Sequence, residues 1–246
     1  MQHRSKKIKK SFFIILVVLI VLSGGSAIYL GNYYHSVDVE KYMNGSSEVS
    51  VEKFDKGWFF DGAGEEKALI FYPGAKVATE AYAPLMYQLA ESGIDCFLVD
   101  MPFHMAFFGM NRAEEIMQEY NYEAWYLGGH SLGGAMAANF VVDYVEDHTD
   151  GSRGLLLLAA YPTKDLSTSD MSVVTVYGSE DGVLNMDKIV AGRELMPQDY
   201  KEVCIEGGNH AQFGSYGAQK GDGTAAIPAE EQWARTVEVF VGDESE

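Results

Sequence analysis

Short apolar runs alternate with amphipathic segments along most of the chain. The apolar runs predict strands at residues 68–72, 95–99, 124–128, 154–160, 173–177 and 201–205. Helical patterning lies between and after them, at residues 79–91, 112–119, 132–147, 187–196 and 228–241. Continuously apolar strands separated by helices predict an α/β fold with a mostly parallel sheet covered on both faces. Two earlier runs, at residues 49–52 and 57–60, predict an antiparallel hairpin.

The first thirty residues have a different pattern. Residues 1–11 are basic and polar, whereas residues 12–30 carry no charged side chain. This uncharged stretch is long enough to cross a bilayer as a helix, so we predict a single-pass membrane anchor with a cytoplasmic tail and an extracytoplasmic body. The alternative is a cleaved signal peptide and a secreted protein, because Gly25, Ser26 and Ala27 resemble a cleavage site.

Residues 31–48 are polar and end in Asn-Gly-Ser-Ser, which favours a tether between the anchor and the body. The body is then expected over residues 49–246. This length suits one α/β domain with a full core and is too short for two.

The net negative charge of the chain argues against one class of binding partner. The chain has 36 acidic and 18 basic residues, and five of the basic residues lie within residues 1–11. The rest of the chain is therefore strongly acidic and is repelled by phosphate backbones. We expect no nucleic-acid partner.

The two cysteines, Cys96 and Cys204, each lie in an apolar strand-like run. This position predicts buried, reduced thiols that pack as small hydrophobic groups. The sequence contains no C-x-x-C motif and no His/Cys cluster, so it predicts no metal site.

The stretch with the clearest chemical signature is YLGGHSLGGA, residues 126–135. An apolar run passes directly into a helical pattern with Ser131 at the junction, which predicts a strand, a sharp turn and a helix. Such a turn brings the residues two before and two after the serine together, and Gly129 and Gly133 meet that requirement. We predict that Ser131 is a nucleophile.

A serine nucleophile needs a base that is itself oriented by a carboxylate. The best base is His210, which directly follows the last predicted strand. The strand at residues 173–177 is followed by Gly-Ser-Glu-Asp-Gly, so Asp181 and Glu180 are both candidates for the acid. We prefer Asp181, whose shorter side chain beside Gly182 suits an acid loop.

An oxyanion hole requires two N–H donors. The N–H group of Leu132, directly after the serine, is one candidate. The other is expected from the loop after the strand at residues 68–72, where Ala75 is preferred and Lys76 is the alternative.

Taken together, these motifs resemble the α/β-hydrolase family. The runs YPGA, GHSLGG, YGSEDG and GGNH occur in the family's order across residues 49–246. The resemblance is greatest to small bacterial members without a cap domain, and it implies a Ser-His-Asp hydrolase that needs no metal or organic cofactor. One departure is the oxyanion loop, which begins Tyr-Pro-Gly rather than the His-Gly common in lipases and esterases.

The strand order implied by the family places four strands between Cys96 and Cys204. At about 4.8 Å per strand, these thiols are expected roughly 24 Å apart, too far for a disulfide.

The substrate is less well defined by the sequence. About a dozen residues separate the strands at 154–160 and 173–177, which leaves no room for a helical cap. Residues 101–108 are rich in aromatic side chains, and Phe103, His104 and Phe107 are candidates for the substrate pocket. Packing of this segment in the core is an equally favoured alternative. The glycine-rich segment 212–228 is a candidate for covering His210.

The leading hypothesis is hydrolysis of a carboxylic ester or thioester with a small or lipid-like acyl group. Transfer of the acyl group to an acceptor other than water is the alternative enzymatic function. A catalytically silent binding module on the same fold would be expected to lack a catalytic residue, and none is missing.

Overall fold

The computed structural model describes residues 31–147 and 152–243 of the chain. Within them the strands are β1 (Ser50–Phe54), β2 (Gly57–Asp61), β3 (Lys67–Tyr72), β4 (Asp95–Val99), β5 (Ala124–His130), β6 (Ser152–Leu158), β7 (Ser172–Gly178) and β8 (Tyr200–Ile205). The α-helices are α1 (Glu40–Met43), α2 (Ala83–Glu91), α3 (Arg112–Glu119), α4 (Leu132–Asp147), α5 (Met186–Gly192) and α6 (Ala229–Asp243). Short 3₁₀ turns extend several of these elements.

The eight strands form one sheet in the order β1-β2-β4-β3-β5-β6-β7-β8. The β1–β2 and β2–β4 pairs are antiparallel, and every other pair is parallel. The predicted hairpin and the mostly parallel sheet are therefore confirmed. Four strands, β3, β5, β6 and β7, separate the two cysteine-bearing strands, as expected.

Alternate residues of the inner strands β3 to β7 enter two different cores. On one face of the sheet, Leu69 and Phe71 pack in a cluster with residues of α2 and α6, including Trp233. On the other face, Ile70 packs in a cluster with residues of α3 and α4, including Phe140. This alternation explains why the inner strands are apolar throughout, because both of their faces are buried.

The start of the body differs from the sequence prediction. The compact unit that contains the sheet begins at Tyr34, rather than near Val49. Tyr34 forms a parallel β-bridge with Val77, and the side chains of Val39 and Val49 are buried. Residues 34–48 are therefore part of the folded body and not a tether, because their few apolar side chains are enough to fix the segment on it.

The predicted membrane anchor, residues 12–30, lies outside the described residues. Among the residues that are described, none of the helices combines the length and the hydrophobicity needed to cross a bilayer.

The two thiols are free, but only one has the predicted environment. Cys96 is buried in β4, whereas Cys204 is exposed in β8. The prediction of burial was wrong for Cys204 because β8 is the edge strand and its surface is only partly covered.

Residues 159–171, between β6 and β7, contain no helix. The expected absence of a cap at this position is confirmed, and the carboxyl end of β5 is left open on this side.

Candidate active site

Ser131 occupies a strained position between β5 and α4. It is the single residue between His130, the last residue of the strand, and Leu132, the first residue of the helix. Its φ angle is +54°, which is uncommon for a residue with a side chain. The Ser131 N–H group donates to the carbonyl oxygen of Leu158 at 2.8 Å, which fixes the turn to the neighbouring strand β6. The predicted strand, turn and helix are therefore present.

The glycines around this turn are required by close backbone contacts. A Cβ atom on Gly129 would lie 2.5 Å from the carbonyl carbon of Gly133. A Cβ atom on Gly133 would lie 2.1 Å from the carbonyl oxygen of Tyr72, at the end of β3. Both distances are too short for any real side chain, so the sequence prediction for these two positions is confirmed. The approach of Tyr72 also places the loop after β3 against the first turn of α4.

His210 and Asp181 meet at the carboxyl ends of β8 and β7. The Nδ1 atom of His210 lies 2.8 Å from Oδ2 of Asp181, and the two side chains are 1% and 2% exposed. The other carboxylate oxygen of Asp181 accepts hydrogen bonds from the N–H groups of Val183 and Leu184, both at 2.8 Å. Three hydrogen bonds, shared between its two oxygen atoms, thus hold this carboxylate in one orientation.

This contact fixes the tautomer of a neutral His210. An ionised carboxylate only accepts hydrogen bonds, so the imidazole proton must lie on Nδ1. The Nε2 atom is left with a free lone pair that can accept a proton.

Glu180 does not take part in this contact. Its side chain is exposed and accepts a hydrogen bond from the Ser179 hydroxyl at 3.2 Å. Of the two candidate acids, Asp181 is the one that the structure brings to His210.

Ser131 and His210 line the same pocket, which has a volume of about 330 Å³. None of the hydrogen bonds within the described residues joins the Ser131 hydroxyl to His210. Hydrogen bonds between catalytic groups are often long without substrate and tighten when it binds. The shared pocket places both side chains where one bound molecule can contact them.

The loop after β3 offers one N–H group for an oxyanion. The N–H group of Gly74 donates to the Tyr82 hydroxyl at 3.0 Å, and that of Lys76 donates to the carbonyl oxygen of His104 at 2.7 Å. The N–H group of Ala75 makes no hydrogen bond to any described residue, and neither does that of Leu132 at the start of α4. The alternative donor, Lys76, is therefore already engaged, and Ala75 and Leu132 remain as the available pair.

A model of the α/β hydrolase family matches residues 68–234, which is more than half of the chain. The chain belongs to the α/β hydrolase family. The matched region contains β3 to β8 and all the residues described above for the site. No curated protein matches this hydrolase at a significant level.

Several solved structures share the fold of this hydrolase. Est1E from Butyrivibrio proteoclasticus aligns with a TM-score of 0.56 at 14% identity, covering 81% of this chain and 100% of its own. Carboxylesterase CesB (YbfK) from Bacillus subtilis aligns with a TM-score of 0.56 at 9% identity, covering 83% and 96%. Carboxyl esterase 2 from the mycorrhizal fungus Tuber melanosporum aligns with a TM-score of 0.58 at 13% identity, covering 84% and 91%. At these identities the similarity establishes the fold alone.

The predicted pocket residues of the hydrolase lie elsewhere. Phe103, His104 and Phe107 do not line the pocket shared by Ser131 and His210. Phe103 and Phe107 are 59% and 67% exposed on the surface. Phe103 and His104 have positive φ angles, +57° and +54°, and the carbonyl oxygen of His104 accepts a hydrogen bond from the N–H group of Lys76 in the loop after β3.

The pocket wall comes instead from three other segments. Ala135 and Met136 contribute from the first turns of α4, and Tyr161 follows β6. Val183 and Leu184 closely follow Asp181. A composition-based search favours the most aromatic loop, whereas these residues become a wall only through the parallel order of β5, β6 and β7.

His130 also has a neighbourhood that the sequence did not indicate. Its Nδ1 atom lies 2.7 Å from the hydroxyl of Tyr82, and its ring centroid lies 4.4 Å from that of His210. Burial lowers the pKa of His130 well below its usual value, and charge repulsion from the nearby His210 imidazole acts in the same direction. Burial also raises the pKa of Tyr82 above its usual value. Both groups are therefore neutral near pH 7 and form a buried link from the oxyanion loop to the base.

A larger hollow of about 700 Å³ lies at the amino ends of the strands and is lined in part by Glu65, Glu66 and Glu123. These residues precede β3 and β5, whereas ligands of open parallel sheets bind at the carboxyl ends of the strands.

Within the part of the chain that is described, no group of three or more His, Cys, Asp or Glu side chains is arranged to hold a metal ion.

Proposed function

We propose that this α/β hydrolase cleaves carboxylic esters with Ser131 as nucleophile, His210 as general base and Asp181 as the orienting acid. The observation that carries the proposal is the buried His210–Asp181 pair at one side of a pocket that Ser131 also lines. A buried carboxylate that points a histidine towards a serine in a strained turn is the arrangement used for acyl transfer. Two of the structural neighbours, CesB and carboxyl esterase 2, are carboxylesterases, which supports this assignment.

The first half of the reaction forms an acyl-enzyme. The Ser131 oxygen attacks the ester carbonyl carbon while its proton passes to Nε2 of His210, and the carbonyl oxygen becomes an oxyanion. The tetrahedral intermediate then collapses as the bond to the alcohol oxygen breaks. The proton on His210 passes to the departing alkoxide, so an alcohol leaves and the acyl group stays on the serine.

The second half regenerates the enzyme. Water gives a proton to His210 and attacks the acyl carbon, which forms a second oxyanion. When this intermediate collapses, the bond to the Ser131 oxygen breaks and the serine recovers its proton from His210. A carboxylic acid is released, and no redox step or cofactor enters this balance.

The N–H groups of Leu132 and Ala75 are proposed to stabilise both oxyanions. Leu132 is the first residue of α4, where helix N–H groups lack intrahelical partners and the helix dipole is positive. The close contact between Gly133 and the carbonyl oxygen of Tyr72 supports a second donor from the adjacent loop. Donors fixed in place before the reaction are usually the largest single contribution to such catalysis.

The pocket favours esters with a compact apolar group. Its volume of about 330 Å³ is near the lower end of the range for ligand sites, roughly 300–1,000 Å³. Met136, Tyr161 and Leu184 give it an apolar wall. Short or branched groups fit this space better than long acyl chains do.

A labelling experiment tests the proposal. The wild-type enzyme should react with a fluorophosphonate probe and hydrolyse nitrophenyl esters, with kcat/KM highest for short acyl chains. Ser131→Ala should lose both labelling and hydrolysis while the far-UV circular dichroism spectrum stays unchanged, because this serine is the only proposed nucleophile. Ser179→Ala is a matched control on the acid loop and should still be labelled. Labelling that persists in Ser131→Ala would refute the assignment.

We also propose that residues 12–30 anchor the enzyme in the membrane with the catalytic body outside the cytoplasm. The support is the uncharged stretch with its basic flank in the sequence. Membrane fractionation with protease accessibility of intact cells should recover full-length, externally accessible enzyme in the membrane fraction. Recovery of soluble enzyme with a new N-terminus near Ile28 would instead establish a cleaved signal.

A further inference from the structure

The base and its acid are supplied by two separate loops. Asp181 follows β7, and His210 follows β8. Their 2.8 Å contact therefore depends on how these two loops are held together. A third segment, residues 219–223, contacts both of them, and we refer to it as the strap.

One carboxylate of the strap joins the two loops. Oδ1 of Asp222 accepts hydrogen bonds from the N–H groups of Gly182 at 3.0 Å and His210 at 3.3 Å. Its Oδ2 atom accepts from the N–H group of Ala211 at 2.8 Å, and Oδ1 is also bonded to the N–H group of Gly223 at 2.9 Å. Gly182 is the residue after the acid, and His210 is the base itself. A single side chain thus holds the backbone of both catalytic loops.

The strap also lies in close backbone contact with the acid loop. A Cβ atom on Gly182 would lie 2.6 Å from the carbonyl oxygen of Gly221. A Cβ atom on Gly223 would lie 2.0 Å from the carbonyl oxygen of Glu180. The backbones of the two segments are therefore in contact at two points without intervening side chains. These contacts fix the distance between the Asp222 carboxylate and the acid loop.

The strap is tied to the base loop by a second side chain. Nδ2 of Asn209 donates to the carbonyl oxygen of Gly223 at 2.8 Å, and the N–H group of Asn209 donates to Oε1 of Gln232 at 3.0 Å. Because Gln232 lies in α6, the base loop, the strap and a core helix form one connected unit. None of the strap residues lines the pocket. The strap therefore supports the two catalytic loops and does not cover the pocket.

We propose that Asp222 is a positioning residue that sets the alignment of His210 with Asp181. The inference rests on the proposed function of these two residues. Hydrogen bonds to an ionised acceptor are roughly twice as strong as those between neutral groups, so this carboxylate holds the loops more firmly than a neutral side chain does. A displacement of about 1 Å in a catalytic group costs on the order of 100-fold in rate. The role of Asp222 is thus expressed in kcat and not in substrate binding.

The test compares Asp222→Ala and Asp222→Asn in the full-length enzyme with a short nitrophenyl ester. Each preparation is titrated with fluorophosphonate, so that kcat refers to folded, reactive sites only. Asp222→Ala should lower kcat by roughly 100-fold, with KM changed by less than about threefold. Asp222→Asn retains one oxygen acceptor but presents an amide N–H group to another N–H group, so a smaller decrease in kcat is expected. If the alanine variant fails to fold, the asparagine variant alone decides the question.

The kinetic constants of the titrated sites separate positioning from simple stabilisation. A positioning residue lowers kcat per titrated site with little change in KM, and the conservative variant Asp222→Asn should retain part of the activity. A residue that only supports the fold would lower the melting temperature and leave kcat per titrated site unchanged. That result would overturn the proposal.

Asp165→Asn is the matched control. Asp165 is an exposed carboxylate whose Oδ1 atom accepts from the N–H group of Ser167 at 2.9 Å, away from both catalytic loops. This variant should keep the wild-type kcat and KM. The two levels of proposal fail differently. If Ser131→Ala remains active, the proposed function is wrong, whereas if Ser131→Ala is inactive and the Asp222 variants behave as wild type, only the role of Asp222 is wrong.

Discussion

The Nδ1 atom of His210 lies 2.8 Å from the carboxylate of Asp181, although the two residues are supplied by different loops. The contact follows from the pairing of β7 with β8. These strands are parallel, and their registers bring Gly178 opposite Ile205 near their carboxyl ends. Both loops consequently start at the same edge of the sheet. The burial of both side chains then strengthens the contact, because water does not compete for it.

The first prediction concerns the orientation of Asp181. In Asp181→Asn, the amide oxygen should stay with the N–H groups of Val183 and Leu184, which leaves the amide NH₂ facing His210. Nδ1 of His210 must then accept, its proton moves to Nε2, and the histidine cannot take the proton of Ser131. We expect kcat to fall by several orders of magnitude, about 10⁴ in the best-known triad, in steady-state assays with a nitrophenyl ester.

Glu180→Gln is the control for this prediction. The Glu180 side chain is exposed and does not contact His210, so kcat should stay within about twofold of wild type. If Glu180→Gln is more damaging than Asp181→Asn, the acid has been assigned to the wrong residue.

The sheet and the sharp turn at Ser131 could be predicted from the sequence because the relevant signals are local. Continuous apolar runs indicate strands that are buried on both faces. Gly129 and Gly133 indicate a close backbone approach within one turn. The strand-end positions of Asp181 and His210 follow from the same parallel order. A position that depends only on which strand it follows can be predicted from the sequence.

The pocket and the strap were not predictable in this way. The pocket wall depends on side chains that are distant in sequence, such as Met136 and Leu184. Asp222 lies between two glycines, a pattern that indicates a turn and carries no sign of the loops it contacts. The packing of residues 34–48 was likewise missed, since the contacts of Val39 and Val49 with the body are tertiary.

The second prediction concerns the close contact beneath the oxyanion loop. In Gly133→Ala, the added methyl group would lie 2.1 Å from the carbonyl oxygen of Tyr72 and 2.4 Å from that of Pro73. Both contacts are with backbone atoms, so the end of β3 must move away from α4. We expect a loss of about 1–3 kcal/mol in the free energy of unfolding and a lower kcat, because the loop that carries Ala75 moves with β3. Urea unfolding and steady-state kinetics measure the two effects.

Gly242→Ala is the matched control, because the added methyl group there meets no atom of the described residues within 4 Å. Its unfolding free energy and kcat should both stay close to wild type. Equal stability and activity in Gly133→Ala would contradict the observed approach of β3 to α4.

The third prediction concerns the pH dependence of stability. Burial holds the pKa of His130 in the folded state well below its usual value of about 6.5. Above about pH 6.5 both states are neutral at this position, and below it only the unfolded state takes up the proton. This contribution to stability is therefore lost as the pH falls from about 6.5 towards the folded pKa, by at most about 1.4 kcal/mol per pH unit.

His130→Asn tests this assignment, because the amide can still bond to the Tyr82 hydroxyl and does not titrate. Urea unfolding between pH 7.5 and 5 should show a shallower loss of stability in the variant than in the wild type. Identical slopes would show that His130 is not the group responsible.

The last prediction concerns the two thiols. Cys96 in β4 and Cys204 in β8 are separated by four strands, which is roughly 24 Å at about 4.8 Å per step. A disulfide requires Cα atoms within about 7 Å, so no intramolecular bond can form even in an oxidising compartment. Burial also raises the pKa of the Cys96 thiol well above its usual value, which keeps it unreactive. A thiol reagent should therefore modify one cysteine, Cys204, in the native enzyme and both after unfolding without reductant. Detection of a Cys96–Cys204 disulfide by mass spectrometry would contradict the strand order, and with it the geometry that brings Asp181 to His210.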